Sequence, residues 1–338
     1  MKKISIKDIA SKAGVSVSTV SFVLNNKAKE MRISDEKVQI VKKIAAEAGY
    51  KPNLLAKSLR TGKTKTIGLM IDDISNNFFA SIAKVIELEA KKLGYKVFYC
   101  STENDPVRAK EILQLLEDAH VDGFIITPTE KLQTEIKRLL QINKKVVLLD
   151  RYFPDINATC IMVDSYKGAY DATSLLLKKG YKTIALVSND LHMIQMQQRE
   201  NGYRDALKAM KIKYDQKLVT RLHYIGGEEE DMVDRLVDFF ERCPDADAVF
   251  FLNNSLGIVG LKALRKLEYK IGKDIAVISF DDNLVFALNT PAISVVSQPI
   301  QDIGTQAVEL LIRSIEEGKS LPGKTILKSG KVIVRESF

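Results

Sequence analysis

Carboxylates, amides and guanidinium groups recur just past apolar runs in this chain. Asp72-Asp73, followed by Phe78 and Phe79, comes after the run 67–71, and Asp150-Arg151 comes after 146–149. Asn253-Asn254 follows 248–252, Asp281-Asp282-Asn283 follows 275–280, and Arg199 stands near the start of a helix-like stretch. That chemistry suits a sugar or another small polyol. Carboxylates accept from hydroxyls, Arg and Asn donate, and an aromatic ring covers an apolar face. Taken singly, each residue reads as a helix cap or a salt-bridge partner. Their repetition at strand ends in two halves of the chain points to a shared site.

Nothing in the sequence groups these residues for catalysis. The three histidines (His120, His192, His223) lack metal-ligand spacing such as HExxH, and there is no GxSxG, no P-loop and no GxGxxG after a strand. Asp150 and Asp281 could form a glycosidase pair, but an enzyme has no use for the basic module at the front of the chain. No catalytic residue, cofactor or metal site is therefore expected. Cys100, Cys160 and Cys243 form no CxxC and read as reduced, buried thiols.

The elements that must position the polar residues alternate regularly. Apolar runs at 67–71, 96–100, 123–127, 146–149 and 160–163 predict strands, with helices expected at 78–93, 106–119 and 130–141 between them. The alternation restarts with a helix at 166–179 and continues through strands at 183–187, 218–223, 248–252 and 275–280. Apolar strands alternating with helices mean parallel sheets covered on both faces, and two such runs mean two similar α/β lobes. In open parallel sheets, ligands sit beyond the carboxyl ends of the strands, where the polar residues lie. The tail, with a helix at 300–317 and short strands near Ile326 and 332–335, is expected to stitch the lobes together.

Charge separates a third region. Residues 1–66 hold 15 Lys and Arg against 5 Asp and Glu, a net +10, whereas the remaining 272 residues hold 36 against 38, a net −2. A small module built to meet a polyanion has this signature. No run of 18 apolar residues predicts a membrane span, and no apolar export region follows Met1, so the protein is expected in the cytoplasm.

Within the basic module, Ser5 and Asp8 form a capping-box pattern that opens a helix ended by Gly14. Ser16 caps a second helix from Val17 to about Leu24, and Ser34 caps a third, ended by Gly49. Two short helices joined by a Gly-containing turn make a helix-turn-helix, whose second helix enters the major groove with its N-terminal residues first. Val17, Ser18 and Phe22 would face bases, and Ser16, Thr19, Ser21 and Asn25 could reach phosphates. An ordinary helical hairpin fits the pattern equally well, and the +10 charge tips the reading toward DNA. Next, residues 50–62 carry Leu54, Leu55, Ala56 and Leu59 on one helical face, after a good N-cap at Asn53. Roughly two turns are marginal in water, so this helix should form only when its leucines are covered.

Together these residues resemble the lactose-repressor (LacI/GalR) family of bacterial transcription regulators. The resemblance is carried by Ile6-Lys7-Asp8-Ile9-Ala10, Gly14-Val15-Ser16, Thr19-Val20-Ser21, and Tyr50-Lys51-Pro52-Asn53 with Ala56 and Leu59, supported later by Asp281-Asp282, Thr290-Pro291 and Gln298-Pro299. It implies an all-α helix-turn-helix DNA-binding domain (1–49), a hinge helix and linker (50–63), and an α/β core of two lobes (64–338) like type I periplasmic binding proteins. Lobe one would hold 64–163 plus 296–320, and lobe two 164–295 plus 321–338. It further implies a homodimer on near-palindromic double-stranded operator DNA and a small effector, a sugar or sugar derivative, between the lobes. By resemblance, Leu59 wedges into the minor groove beside Ala56, with Asn53 and Lys57 on the same hinge. Phe78, Phe79 and Asp150 match effector contacts in lobe one, and Arg199, Asn253 and Asp281 match them in lobe two.

Some positions depart from the family pattern. Lys57 stands where many members have Arg, Asn77 where Pro is frequent and Asn254 where Asp is frequent, while Met193, Gln195 and Met196 give the loop before Arg199 an unusual make-up. No leucine-heptad tail follows the last strand, so a dimer is expected rather than a tetramer. The expected function is sequence-specific transcription regulation, as a repressor, with the cleft ligand acting as inducer or corepressor according to the hinge state it favours. The rivals are a sugar-processing enzyme and a sugar-binding protein with an accessory DNA-binding module. Neither explains the charge split.

Overall fold

In a computed structural model of the protein, residues 4–50, 62–189, 193–222 and 229–338 are described. The chain divides into two compact units, Met1–Thr64 and Lys65–Phe338. The hinge positions Asn53, Ala56, Lys57 and Leu59 lie outside the described residues.

Among its described residues the first unit holds three helices, α1 (Ile6–Ala13), α2 (Val17–Leu24) and α3 (Asp35–Glu47). Local chemistry sets their ends. The Ser5 hydroxyl accepts from the Asp8 N–H at 3.3 Å, and the Asp8 carboxylate accepts from the Ser5 N–H at 2.8 Å, closing the capping box. Gly14 ends α1 at φ +60°, a left-handed conformation that glycine adopts without a Cβ clash. The Ser16 hydroxyl accepts from the Thr19 N–H at 3.1 Å and starts α2. At α3 the expected cap forms no side-chain hydrogen bond: Ser34 occupies the N-cap, and Asp35 and Glu36 supply negative charge to the first turn. Ile9, Ala10, Val20, Val23, Val41 and Ala45 make the buried core. A core this small gives only modest stability.

The second unit is built on two six-stranded sheets. The first contains β1 (Thr66–Ile71), β2 (Lys96–Ser101), β3 (Gly123–Ile126), β4 (Lys145–Leu149) and β5 (Thr159–Val163), interleaved with α4 (Asn77–Lys92), α5 (Pro106–Asp118) and α6 (Gln133–Gln141). The second contains β6 (Ile184–Asn189), β7 (Val219–Leu222), β8 (Ala248–Phe251), β9 (Ala276–Phe280) and β10 (Ser294–Ser297). With it run α7 (Ser165–Lys178), α8 (Ile194–Ala209), α9 (Glu229–Arg242), α10 (Asn254–Lys266) and the short α11 (Leu284–Leu288). Then come α12 (Ile300–Glu317), β11 (Thr325–Lys328) and β12 (Lys331–Ile333).

The sheet orders are β11-β5-β4-β3-β1-β2 and β12-β10-β9-β8-β6-β7, so the two lobes share one topology. Among the described residues all strand pairings are parallel except β10 with β12. Apolar side chains such as Leu69 and Met70 point to opposite faces of β1 and enter different core clusters, so each sheet is covered on both sides.

The lobe boundary in the tail differs from expectation. Residues 321–338 do not all belong to lobe two, because Thr325–Lys328 pairs in parallel with Cys160–Val163 in the first sheet. Likewise Ser294–Ser297 is a strand of the second sheet, while α12 packs on α4 of lobe one. The chain therefore crosses between lobes three times, after β5, β10 and β11. Of the three free thiols, Cys160 and Cys243 are buried, but Cys100 is only half-buried on edge strand β2.

Candidate functional site

On the first unit, α2 has two faces. Val20 and Val23 point into the core, whereas Val17 is 41% exposed and Ser18 is exposed. Val17, Ser18, Ser21 and Phe22, at i, i+1, i+4 and i+5, share the outward face. Phe22, Thr19 and Ser21 are half-buried. Ser16 and Thr19 are joined hydroxyl to hydroxyl at 2.9 Å, and the Asn25 amide donates to the Ser21 carbonyl at 2.7 Å. These polar groups thus brace the ends of α2 as well as standing at its surface. The residues expected at bases are brought together, and the four hinge residues are outside the described region.

The second unit holds a cavity between its lobes, with about 280 Å³ open to the centres of water molecules. That is many times the space one water requires. All six residues expected to contact an effector line it: Phe78, Phe79 and Asp150 from lobe one, Arg199, Asn253 and Asp281 from lobe two.

Strand ends deliver most of them. Past β1, the Asn76 side chain accepts from the Phe78 N–H at 3.0 Å, which caps α4 and turns Phe78 and Phe79 inward with ring centroids 5.0 Å apart. Asp150 ends β4 at φ +64° and Asp281 ends β9 at φ +68°. Asp is one of the few residue types with a Cβ that visits this region readily. Asn253 follows β8 and caps α10 by accepting from the Leu256 N–H at 2.8 Å.

Arg199 projects from α8 and is 2% exposed. Its guanidinium lies 3.7 Å from the centre of the Phe280 ring, donates to the Leu252 carbonyl at 2.6 Å and stands 3.8 Å from Asp281. Arg151 pairs with Asp72, donates to Asn104 at 3.0 Å and lies 3.4 Å from Asp150. Burial pushes both the Asp150 and Asp281 carboxyls up from the ordinary range, with the neighbouring guanidinium groups pulling the other way. Burial pushes the Arg199 guanidinium down.

The lobes also touch each other across the cleft. Asn76 and Asn254 exchange amide hydrogen bonds at 3.2 and 3.1 Å, and the Gln195 amide donates to Asp150 at 3.4 Å. Cavity residues outside the expected six include Asn104, Asn189, Gln195 and Gln298. Applying the strand-end rule to β2 and β6 would have found Asn104 and Asn189. Gln298 comes from the crossover into α12 and bonds Asp281.

Comparison with known proteins agrees with this architecture. Residues 5–53 match the family described as bacterial regulatory proteins, lacI family, and residues 173–338 match the periplasmic binding protein-like domain. The chain is 32% identical to the HTH-type transcriptional regulator RegA of Clostridium saccharobutylicum, over 98% of each chain. It is 30% identical to a ribose operon repressor of Haemophilus influenzae, over 99% of this chain and 98% of that one. The lac repressor dimer bound to operator and the anti-inducer ONPF superposes with a TM-score of 0.86 over 99% of both chains at 22% identity, which shows a common fold. The curated relatives are transcription regulators, not enzymes. This chain belongs to the LacI family of bacterial DNA-binding transcription regulators.

Proposed function

We propose that this regulator is a repressor whose affinity for a near-palindromic operator is set by a small carbohydrate held between the lobes. The observation that carries the reading is the cavity itself. Carboxylates, amides, a guanidinium and phenylalanine rings converge there from both lobes, so one ligand can touch both at once. A ligand that binds one lobe arrangement better than another shifts their balance, and with it the state of the DNA-binding module. The name of the Haemophilus influenzae relative, a ribose operon repressor, supports repression and a sugar signal.

Recognition of DNA is assigned to Val17, Ser18 and Phe22 toward bases, with Ser16, Thr19, Ser21 and Asn25 toward the backbone. Asn53, Ala56, Lys57 and Leu59 are assigned to the hinge, where two leucine faces shelter each other against kinked DNA. A homodimer is supported by apolar side chains left in solvent: Phe98 and Tyr99 on edge strand β2, and Leu284 and Leu288, 68% and 72% exposed, on α11. A second copy would cover them.

The direct test isolates a duplex by selection from random DNA and compares wild type with Leu59→Ala. Operator affinity should fall strongly while sugar binding persists. Unchanged operator binding would refute the wedge role, and failure to select any duplex would refute the regulatory reading.

A further inference from the structure

We infer that the effector carries no negative charge and meets the cleft with hydrogen-bond donors: it is a neutral sugar or an amino sugar, not a sugar acid or a phosphate ester. This rests on the carbohydrate reading of the cavity and narrows it.

Charge comes first. Among the described residues lining the cavity, five side chains are carboxylates and two are guanidinium groups. Both guanidinium groups already hold protein partners, although Arg151 Nε is buried with no hydrogen-bond partner. Arg151 is paired with Asp72 and bonded to Asn104, and Arg199 sits over the Phe280 ring with donors on Leu252 and Ser165 and Asp281 close by. An anionic ligand would have to break these pairs or sit among five carboxylates with Arg151 Nε as the one buried unpartnered donor among the described cleft residues. A like charge about 5 Å away at a partly shielded site weakens binding on the order of 100-fold.

Two of the helix ends facing the cavity already carry a side-chain cap, whereas α8, which starts beside it at Met193, carries none. A helix N-terminus is where a phosphate or carboxylate would ordinarily find free N–H groups. At α4 the Asn76 oxygen caps the Phe78 N–H, and at α10 the Asn253 oxygen caps the Leu256 N–H.

Unmet acceptors outnumber unmet donors among the described cleft residues. Asp150 is only 7% exposed, and its nearest protein donors, Arg151 Nε and Gln195 Nε2, both stand at 3.4 Å. The Oε1 atoms of Gln195 and Gln298 are buried without a donor. A buried carboxylate held by long contacts alone is poorly compensated. Hydroxyl or ammonium donors on the ligand would complete it, while Phe78 and Phe79 cover C–H surface or face the cation.

The test uses full-length protein and matched sets on one ring: D-glucose, D-glucosamine, D-glucuronate and D-glucose 6-phosphate, with the galactose, mannose and ribose counterparts that exist. Calorimetric titration is run on wild type and on Asp150→Asn, which keeps a residue type able to hold φ +64°. For the ring that binds, the neutral or amino member should bind on the order of 100-fold more tightly than its acid and its phosphate. Asp150→Asn should weaken the neutral or amino member by about 10- to 100-fold and narrow the gap to the acid. A sugar acid or phosphate bound by wild type more tightly than its neutral parent overturns the inference but leaves the carbohydrate site standing. Silence from every set rejects the carbohydrate site itself.

Discussion

Asp150 and Asp281 occupy the same place in the two lobes. Each follows the fourth strand of its sheet, each has a positive φ (+64° and +68°), and each donates its N–H to the neighbouring strand, to Ile161 at 3.0 Å and Val296 at 2.9 Å. Each is buried beside a guanidinium group, Arg151 or Arg199. The cleft thus places two matched carboxylates on opposite walls, one from each lobe.

That arrangement has a price in stability, and its sign is fixed. Burial raises both carboxyl groups above their ordinary range, so between the unfolded and folded values the native state holds more protons than the unfolded chain. Stability therefore falls as pH rises from the ordinary carboxylate range through the folded values, and the full penalty is present above them. In the ligand-free protein, Asp150→Asn should remove part of this loss. Melting curves from pH 4 to 8 should show a flatter decline for the variant and a midpoint at pH 7 no lower than wild type. A variant that is less stable at pH 7 and equally pH-sensitive would show that the Asp150 charge is well compensated.

Gly202 lets α8 lie against α7. A Cβ there would meet the Tyr166 carbonyl oxygen at 2.3 Å and the Tyr170 nitrogen at 2.9 Å, and backbone atoms cannot rotate away as a side chain could. Gly202→Ala should destabilise the core by about 1–3 kcal/mol. Because Arg199 lies one turn earlier on α8, sugar affinity should fall in the same variant. A thermal melt and a sugar titration check both, and an unchanged melt would show that the helices separate freely.

Ser16 holds the start of α2 through the Thr19 N–H. Ser16→Ala should cost about 0.5–2 kcal/mol in a module with a small core, and weaken operator binding while leaving sugar affinity unchanged. Val17→Ala, at an exposed position, should leave folding intact and change which bases are preferred at one place in each half-site. Duplex selection with the variant reads this directly, and an unchanged consensus would remove Val17 from base recognition.

Leu284 and Leu288 stand in solvent on a five-residue helix. If a second copy covers them, Leu288→Asp should shift the protein from a dimer toward the 37.8 kDa monomer in sedimentation velocity, with operator affinity falling in parallel. A variant that remains fully dimeric would place the interface elsewhere.

Local chemistry was the most legible part of the sequence. The Ser5–Asp8 box, the Ser16 cap and the Gly14 stop depend on residues within a few positions of each other, so spacing alone identifies them. Five of the six cleft residues were legible because parallel strands present their C-terminal ends to one edge of a sheet, whereas Arg199 stands on α8 and was matched through the family resemblance. Tertiary partners were not legible. Thr325–Lys328 carries an alternating half-exposed pattern that fits the edge of either sheet, and only the register with Cys160–Val163 assigns it to the first. Asn189 was missed because β6 runs two residues beyond the apolar run that marks it. The Asn76–Asn254 amide exchange depends on how the lobes meet, and no local pattern encodes that.

The central claim is that a ligand in the cleft governs contact with DNA. Its most direct test is the affinity of the full-length protein for a selected operator duplex, measured by fluorescence anisotropy with and without a saturating cleft-binding sugar over a series of salt concentrations. Affinity should fall steeply with salt and should change about 5- to 150-fold when the sugar is bound. Equal affinity in the presence and absence of a bound sugar would contradict it.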